Sequence, residues 1–175
     1  LGMEMPIMTR FLVRAICALA AVLLIVLPKP LHAATTITDF TVVTPGVIEK
    51  YAKFEVAFNV QGSSYTNPYF PYDTANIPGL TPGTGISVDA FFLPPNGTDW
   101  SKARRIGCFY FQPYDAGTLV AEGSPQWRCR FTPEIVGEWK YRIQVTDKNG
   151  VAQTPINRFT AGNSARKGFI RVSQS

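Results

Sequence analysis

The chain has 175 residues, 46% of them apolar and 17% charged, with a formal net charge of +5 and a single histidine. That length suits one ordinary domain, alone or behind a processed leader. The basic residues Arg128, Arg130, Lys140 and Arg142 are scattered along the chain instead of forming a tract, which excludes a polyanion-binding arm and sets nucleic acid aside as a partner.

Arg10 and Arg14 precede an unbroken apolar run over residues 15–27, and Leu31-His32-Ala33 ends in the small residue that signal peptidase accepts. A bilayer core needs about 20 apolar residues, and this run is shorter and closed by Pro28 and Pro30. Residues 1–33 are therefore expected to be a signal peptide with upstream residues, Met8 being the start that suits it best. Cleavage after Ala33 leaves residues 34–175, a secreted or periplasmic domain without membrane contact. The leader takes Arg10, Arg14, Lys29 and Glu4 with it, so the formal charge falls to +3.

The mature chain reads as short alternating runs punctuated by Gly, Pro, Asn and Asp, the pattern of an all-β protein. The first strand is expected over 36–44. The second, over 53–60, alternates most clearly, with Phe54, Val56, Phe58 and Val60 on the buried face and Glu55, Ala57 and Asn59 on the other. Residues 62–85, rich in Pro, Tyr, Asn and Gly, form a long loop. A strand over 86–93 closes at Pro94-Pro95-Asn96-Gly97, where Pro presets φ and Asn-Gly admits positive φ. Two further strands, 104–112 and 127–132, are joined by a second long loop. The strand over 138–147 buries Trp139, Tyr141, Ile143 and Val145 and turns at Asp147-Lys148-Asn149-Gly150; 158–161 and 168–173 supply the rest. Seven or eight strands without helices predict an immunoglobulin-like antiparallel β-sandwich. In that reading 131–141 is the corner where the chain passes between sheets, pinned by Trp139 or Tyr141.

Cys17 lies in the leader, which leaves Cys108 and Cys129 for one bridge in an oxidising compartment. Parity opposes it: with Phe109 and Phe111 facing the core, Cys108 faces away, whereas Cys129 shares a face with Trp127 and Phe131. Two outcomes stand open, a bulge that permits the Cys108–Cys129 disulfide or two free thiols.

The chemistry of the mature residues is sparse. Once His32 is lost with the leader, no imidazole remains for a triad, a proton relay or a typical zinc site. Glycoside hydrolysis needs two carboxyl groups about 5–9.5 Å apart across a cleft. Asp73, Asp89, Asp99, Asp115, Glu122, Glu134 and Glu138 fall mostly in turns and at strand ends, where carboxylates cap backbone donors. No catalytic residue, metal site or cofactor is expected. Asn67, Asp73 and nearby loop carbonyls offer oxygens that suit calcium, but no spaced Asp and Asn array that supplies several ligands from one loop is present. Aromatic residues are the richer feature: Tyr65, Tyr69 and Tyr72, with Trp100 and Tyr114 in other loops, offer flat apolar faces with polar handles suited to sugar rings. The same side chains equally suit anchoring of the loop or contact with a neighbouring domain.

Three stretches carry a family likeness: Val47-Ile48-Glu49-Lys50-Tyr51-Ala52-Lys53-Phe54-Glu55-Val56, then Tyr65-Thr66-Asn67-Pro68-Tyr69, then Trp127-Arg128-Cys129-Arg130-Phe131-Thr132-Pro133 running through Gly137-Glu138-Trp139-Lys140-Tyr141. Gly168-Phe169-Ile170-Arg171-Val172 is a fourth. In this order they resemble the immunoglobulin-like N-terminal domain of unknown function found before the (β/α)8 catalytic barrel of secreted bacterial glycoside hydrolases. The resemblance implies a non-catalytic accessory domain whose partner is that barrel, normally in the same chain. A carbohydrate-binding module, with polysaccharide as the partner, is the alternative.

Overall fold

The computed structural model describes residues 34–73, 78–79 and 81–169, all within the second of two units into which the chain divides, Ala33–Ser175. The expected leader and most of the expected last strand, 170–173, lie outside the described residues. Among the described residues ten strands run in chain order: β1 (Thr36–Val42), β2 (Ile48–Glu49), β3 (Phe54–Gln61), β4 (Ser87–Leu93), β5 (Arg104–Gly107), β6 (Phe109–Phe111), β7 (Gln126–Phe131), β8 (Gly137–Asp147), β9 (Gly150–Gln153) and β10 (Asn157–Gly162). The only helical element among them is a single 3-10 turn, Trp100–Lys102. No helix among the described residues is long and apolar enough to cross a membrane.

The strands form two sheets, ordered β1-β3-β7-β6 and β2-β10-β8-β4-β5, with β9 paired to β8. The first order is that of strands A, B, E and D of an immunoglobulin domain, and β10-β8-β4 occupy G, F and C. The all-β sandwich is therefore as expected, but the strand count is higher, for three reasons. Strand β2 is too short to alternate and pairs parallel to β10. The single strand expected over 104–112 is two, because Gly107 still pairs with Asp89 in the second sheet while Phe109 pairs with Arg128 in the first. Finally, the turn at Asp147 opens a hairpin to β9, after which Thr154 keeps contact with β8 through Ile143 (3.0 Å each way) before β10 resumes the pairing. Gly168 and Phe169 are not in a strand.

Alternation built the core as the pattern requires. Phe54, Val56 and Phe58 of β3, Trp127, Cys129 and Phe131 of β7, Val88, Ala90 and Phe92 of β4, and Trp139, Tyr141, Ile143 and Val145 of β8 meet between the sheets with Phe159 of β10. Rings span the gap: Phe54 stacks on Phe159 and Phe92 on Phe131, each pair 4.0 Å between centroids. Trp139 pins the corner between β7 and β8, its indole N–H donating to the Ile135 carbonyl at 2.9 Å. Tyr141 instead lies in the core, where burial pushes its phenol up to about 12. In β1 the register shifts between Thr38 and Thr41 about Asp39, whose φ is +53° and whose carboxylate accepts from Asn59 at 2.9 Å.

Cys108 and Cys129 are joined in a disulfide with Cα atoms 4.4 Å apart. Continuing the β6–β7 register by one residue sets them directly opposite one another, close to the spacing of a non-hydrogen-bonded antiparallel pair. No bulge is needed. The parity conflict dissolves because Phe109 and Phe111 face outward, while Cys108 and Tyr110 pack against the core. The bridge closes a 21-residue separation, for which chain entropy gives about 3 kcal/mol of stabilisation. Replacing both cysteines by serine is expected to lower the unfolding free energy by about that amount in denaturant titrations, and alkylation of unreduced 34–175 is expected to modify no thiol by mass.

Candidate functional site

The two long loops and the β8–β9 turn gather at one end of the sandwich. The segment after β3 is tied down there: Ser63 and Thr35 donate to the Asp147 carboxylate, Asn149 reaches the Gly62 carbonyl at 3.2 Å, and the Ile86 N–H donates to the Phe70 carbonyl at 2.9 Å. Gly85 is required by this approach, since a Cβ there would sit 2.3 Å from the Phe70 carbonyl oxygen.

This arrangement leaves a groove of about 350 Å3 between residues 68–71 and the crossing at Cys108, walled by Tyr69, Phe70, Phe109 and Tyr110, with Asp89 and Arg105 among its lining residues. Tyr69 lies T-shaped to Tyr110 at 5.9 Å, and Tyr110 leans on Trp127 at 5.3 Å. Burial first, then the nearby phenols of Tyr65 and Tyr69, push the Tyr110 phenol above its usual range. Arg105 pairs with the buried Asp89 at 2.8 Å.

Of the aromatics named from sequence, the structure brings Tyr65 and Tyr69 together. Tyr65 is half-buried against the core, and Tyr69 is 71% exposed. Tyr72 sits beyond the groove wall, its N–H donating to Ser87 Oγ at 3.0 Å. Trp100 belongs to the 3-10 turn and stacks on Arg142 of β8 at 4.6 Å. Tyr114 is exposed in the 113–124 loop, paired through its backbone with Ala121. Tyr110 was missed, although facing Cys108 toward Cys129 would have turned it inward from parity alone.

A second concentration of charge lies on the outer face of the first sheet. Glu55, expected to meet water, is fully buried there. Lys53 and Arg128 approach its carboxylate at 2.8 Å and Arg130 at 2.7 Å. Phe111 lies under the Arg128 guanidinium at 4.2 Å and Phe109 under that of Arg130 at 4.9 Å. Lys53, Arg128 and Arg130 thus close over a position that alternation assigns to solvent. Burial alone would raise the Glu55 pKa, but hydrogen bonds from Arg130, Lys53 and Arg128 outweigh it and hold the carboxyl at about 2, down from 4.5. Asp147 behaves alike: burial opposes ionisation, and the Ser63, Thr35 and Asn149 donors overcome it to lower its pKa.

The exposed carboxylates of two turns cap backbone donors, as their positions suggest: Asp99 takes the Ser101 N–H at 3.0 Å and Asp115 takes those of Gly117 and Thr118 at 3.0 and 2.6 Å. Asn67 accepts the Tyr69 N–H at 2.9 Å, which engages it in a turn. Among the described residues no group of three or more His, Cys, Asp or Glu side chains is placed to hold a metal ion.

The order of strands and the outward-facing loops define an immunoglobulin-type sandwich domain. The family described as "Domain of unknown function (DUF5060)" matches residues 47–146, more than half of the chain, and the protein belongs to that family. No curated protein and no solved structure matches it.

Glu55→Gln keeps the shape but removes the counter-charge of three cations, so it is expected to cost about 3 kcal/mol in denaturant titrations at neutral pH. Because the folded pKa of Glu55 is depressed, its contribution is present above its ordinary value of 4.5 and fades as pH falls toward about 2. The gap between wild type and Glu55→Gln is therefore expected to narrow across that window.

Proposed function

We propose that this domain is a non-catalytic accessory module of a secreted glycoside hydrolase, packing on or positioning a catalytic (β/α)8 barrel. The observation that carries the reading is a set of exposed apolar side chains at the end of the sandwich opposite the long loops, where the chain leaves β10. Strands β4 and β7 finish there, β3 and β8 begin, and β10 delivers the chain to residues 163–169. Val47, Ile135, Val136 and Phe169 are all exposed on these segments. The Tyr51 N–H donates to the Pro133 carbonyl at 2.8 Å while its ring meets Phe169 at 5.6 Å, which ties the outgoing segment to the corner. Grouped apolar side chains of this kind mark surfaces that other domains cover.

The carboxylates support the same reading. Among the described residues Glu55, Asp89 and Asp147 are the buried acidic ones, and each is committed to an ion pair or to backbone and hydroxyl donors. A glycosidase acid needs a raised pKa, whereas Glu55 and Asp147 are shifted the other way. A second reading, carbohydrate binding, is favoured by one observation, the exposure of the Tyr69 ring beside a groove.

The gene beyond Ser175 is expected to continue in frame into a (β/α)8 barrel. In the longer protein, amides of 134–137 and 167–169 are expected to exchange more slowly than in a variant carrying Ile135→Asp and Phe169→Asp. A stop codon directly after Ser175, or turnover of chromogenic glycosides by residues 34–175, rejects the reading.

A further inference from the structure

We infer that the groove beside Cys108 binds a neutral saccharide, one sugar ring lying against Tyr69 and Tyr110 and its hydroxyls exchanging hydrogen bonds with Asp89 and Arg105. This rests on the carbohydrate-binding reading and gives it a place and a ligand chemistry. The groove, at about 350 Å3, falls within the roughly 300–1,000 Å3 of small-molecule sites.

Its aromatic wall is fixed before any ligand arrives. Tyr69 is exposed although its ring is seated T-shaped on Tyr110. The backbone on either side is held by the Asn67 carboxamide and by the Phe70–Ile86 hydrogen bond. A preorganised wall spares the ordering entropy that a flexible loop would lose on binding. The pairing of Tyr110 with Trp127 anchors the wall to the core in turn.

Charge selects the ligand. Asp89 and Arg105 are paired at 2.8 Å, so the groove carries one acid and one base and no net charge from them. The paired charges cancel, so neither an anionic nor a cationic sugar gains a net Coulombic advantage from them. A purely apolar ligand would strip water from the ion pair without replacing its hydrogen bonds. A neutral polyol satisfies both: its C–H face suits the rings, its hydroxyls donate to the carboxylate, and its oxygens accept from the guanidinium, which is 65% exposed and keeps donors to spare. Of the five aromatic residues read from sequence, Tyr69 lines this groove beside Tyr110, Tyr65 lies near Tyr110, and Trp100 and Tyr114 belong to other elements.

Affinity electrophoresis of protein expressed from the full chain tests the inference, using neutral gels (hydroxyethylcellulose, xyloglucan, galactomannan, laminarin) and acidic gels (polygalacturonate, alginate). Retardation is expected in at least one neutral gel, weakened about tenfold or more by Tyr69→Ala, weakened also by Arg105→Gln, and unchanged by Tyr114→Ala. Tyr69 is exposed, so Tyr69→Ala is expected to keep the wild-type unfolding midpoint, whereas Arg105→Gln strips the buried Asp89 of its cation and is expected to lower it, so its gels are run well below that midpoint. Retardation that survives both variants, or that is confined to the acidic gels, overturns the inference and leaves carbohydrate binding standing. Unretarded migration in every gel overturns both.

Discussion

One residue is bonded to both halves of the sandwich. The Cys108 N–H donates to the Val88 carbonyl of the second sheet at 2.8 Å, while its sulfur is joined to Cys129 of the first. The chain changes sheets at this point with no loop, so the facing of every residue from 104 to 111 is decided here. Cys108 and Tyr110 turn inward; Phe109 and Phe111 turn outward. Tyr110 then becomes one wall of the groove, and the two phenylalanines become the floor beneath Arg128 and Arg130. The crossing thus shapes both the candidate ligand site and the charged outer face.

That outer face shows how an ion can be buried without being in the core. Glu55 is covered by the side chains of its own neighbours, and the three cations around it leave the cluster positive. A charge buried in this way is strongly dependent on its partners, since desolvation is offset only while the donors stay in place. The rings of Phe109 and Phe111 keep the arginines aligned through cation–π contact. The cluster therefore couples β3, β6 and β7 on the side of the sheet where hydrophobic packing gives no help.

Much of this architecture was legible in the residues, and the reason lies in period-2 alternation. Strands β3 and β8 carry unbroken apolar stripes, so their inner faces and the core follow directly. Alternation reports one buried face and is silent on what covers the other, which is why Glu55 passed for a solvated residue. It also fails at β5 and β6, where Arg104-Arg105-Ile106-Gly107-Cys108-Phe109 contains no Pro and only the isolated Gly107, which marks an irregularity without announcing a change of sheet. The candidate groove depends on tertiary pairing of residues 68–71 with 105–110. Tyr69 stood out by its type and loop position, whereas Tyr110 and the Asp89–Arg105 pair had to await the register.

The kink in β1 about Asp39 has a consequence for how the molecule meets others. An outermost strand with free backbone groups is a template onto which a foreign strand can add. Here the seven-residue outermost strand is broken by a left-handed residue whose carboxylate is already taken by Asn59, and the other flanking strands, β2, β5, β6 and β9, run only two, four, three and four residues. No straight margin of any length is offered for backbone-to-backbone addition among the described residues. The short and interrupted margins of the described strands therefore favour contacts made through side chains over the addition of a further strand.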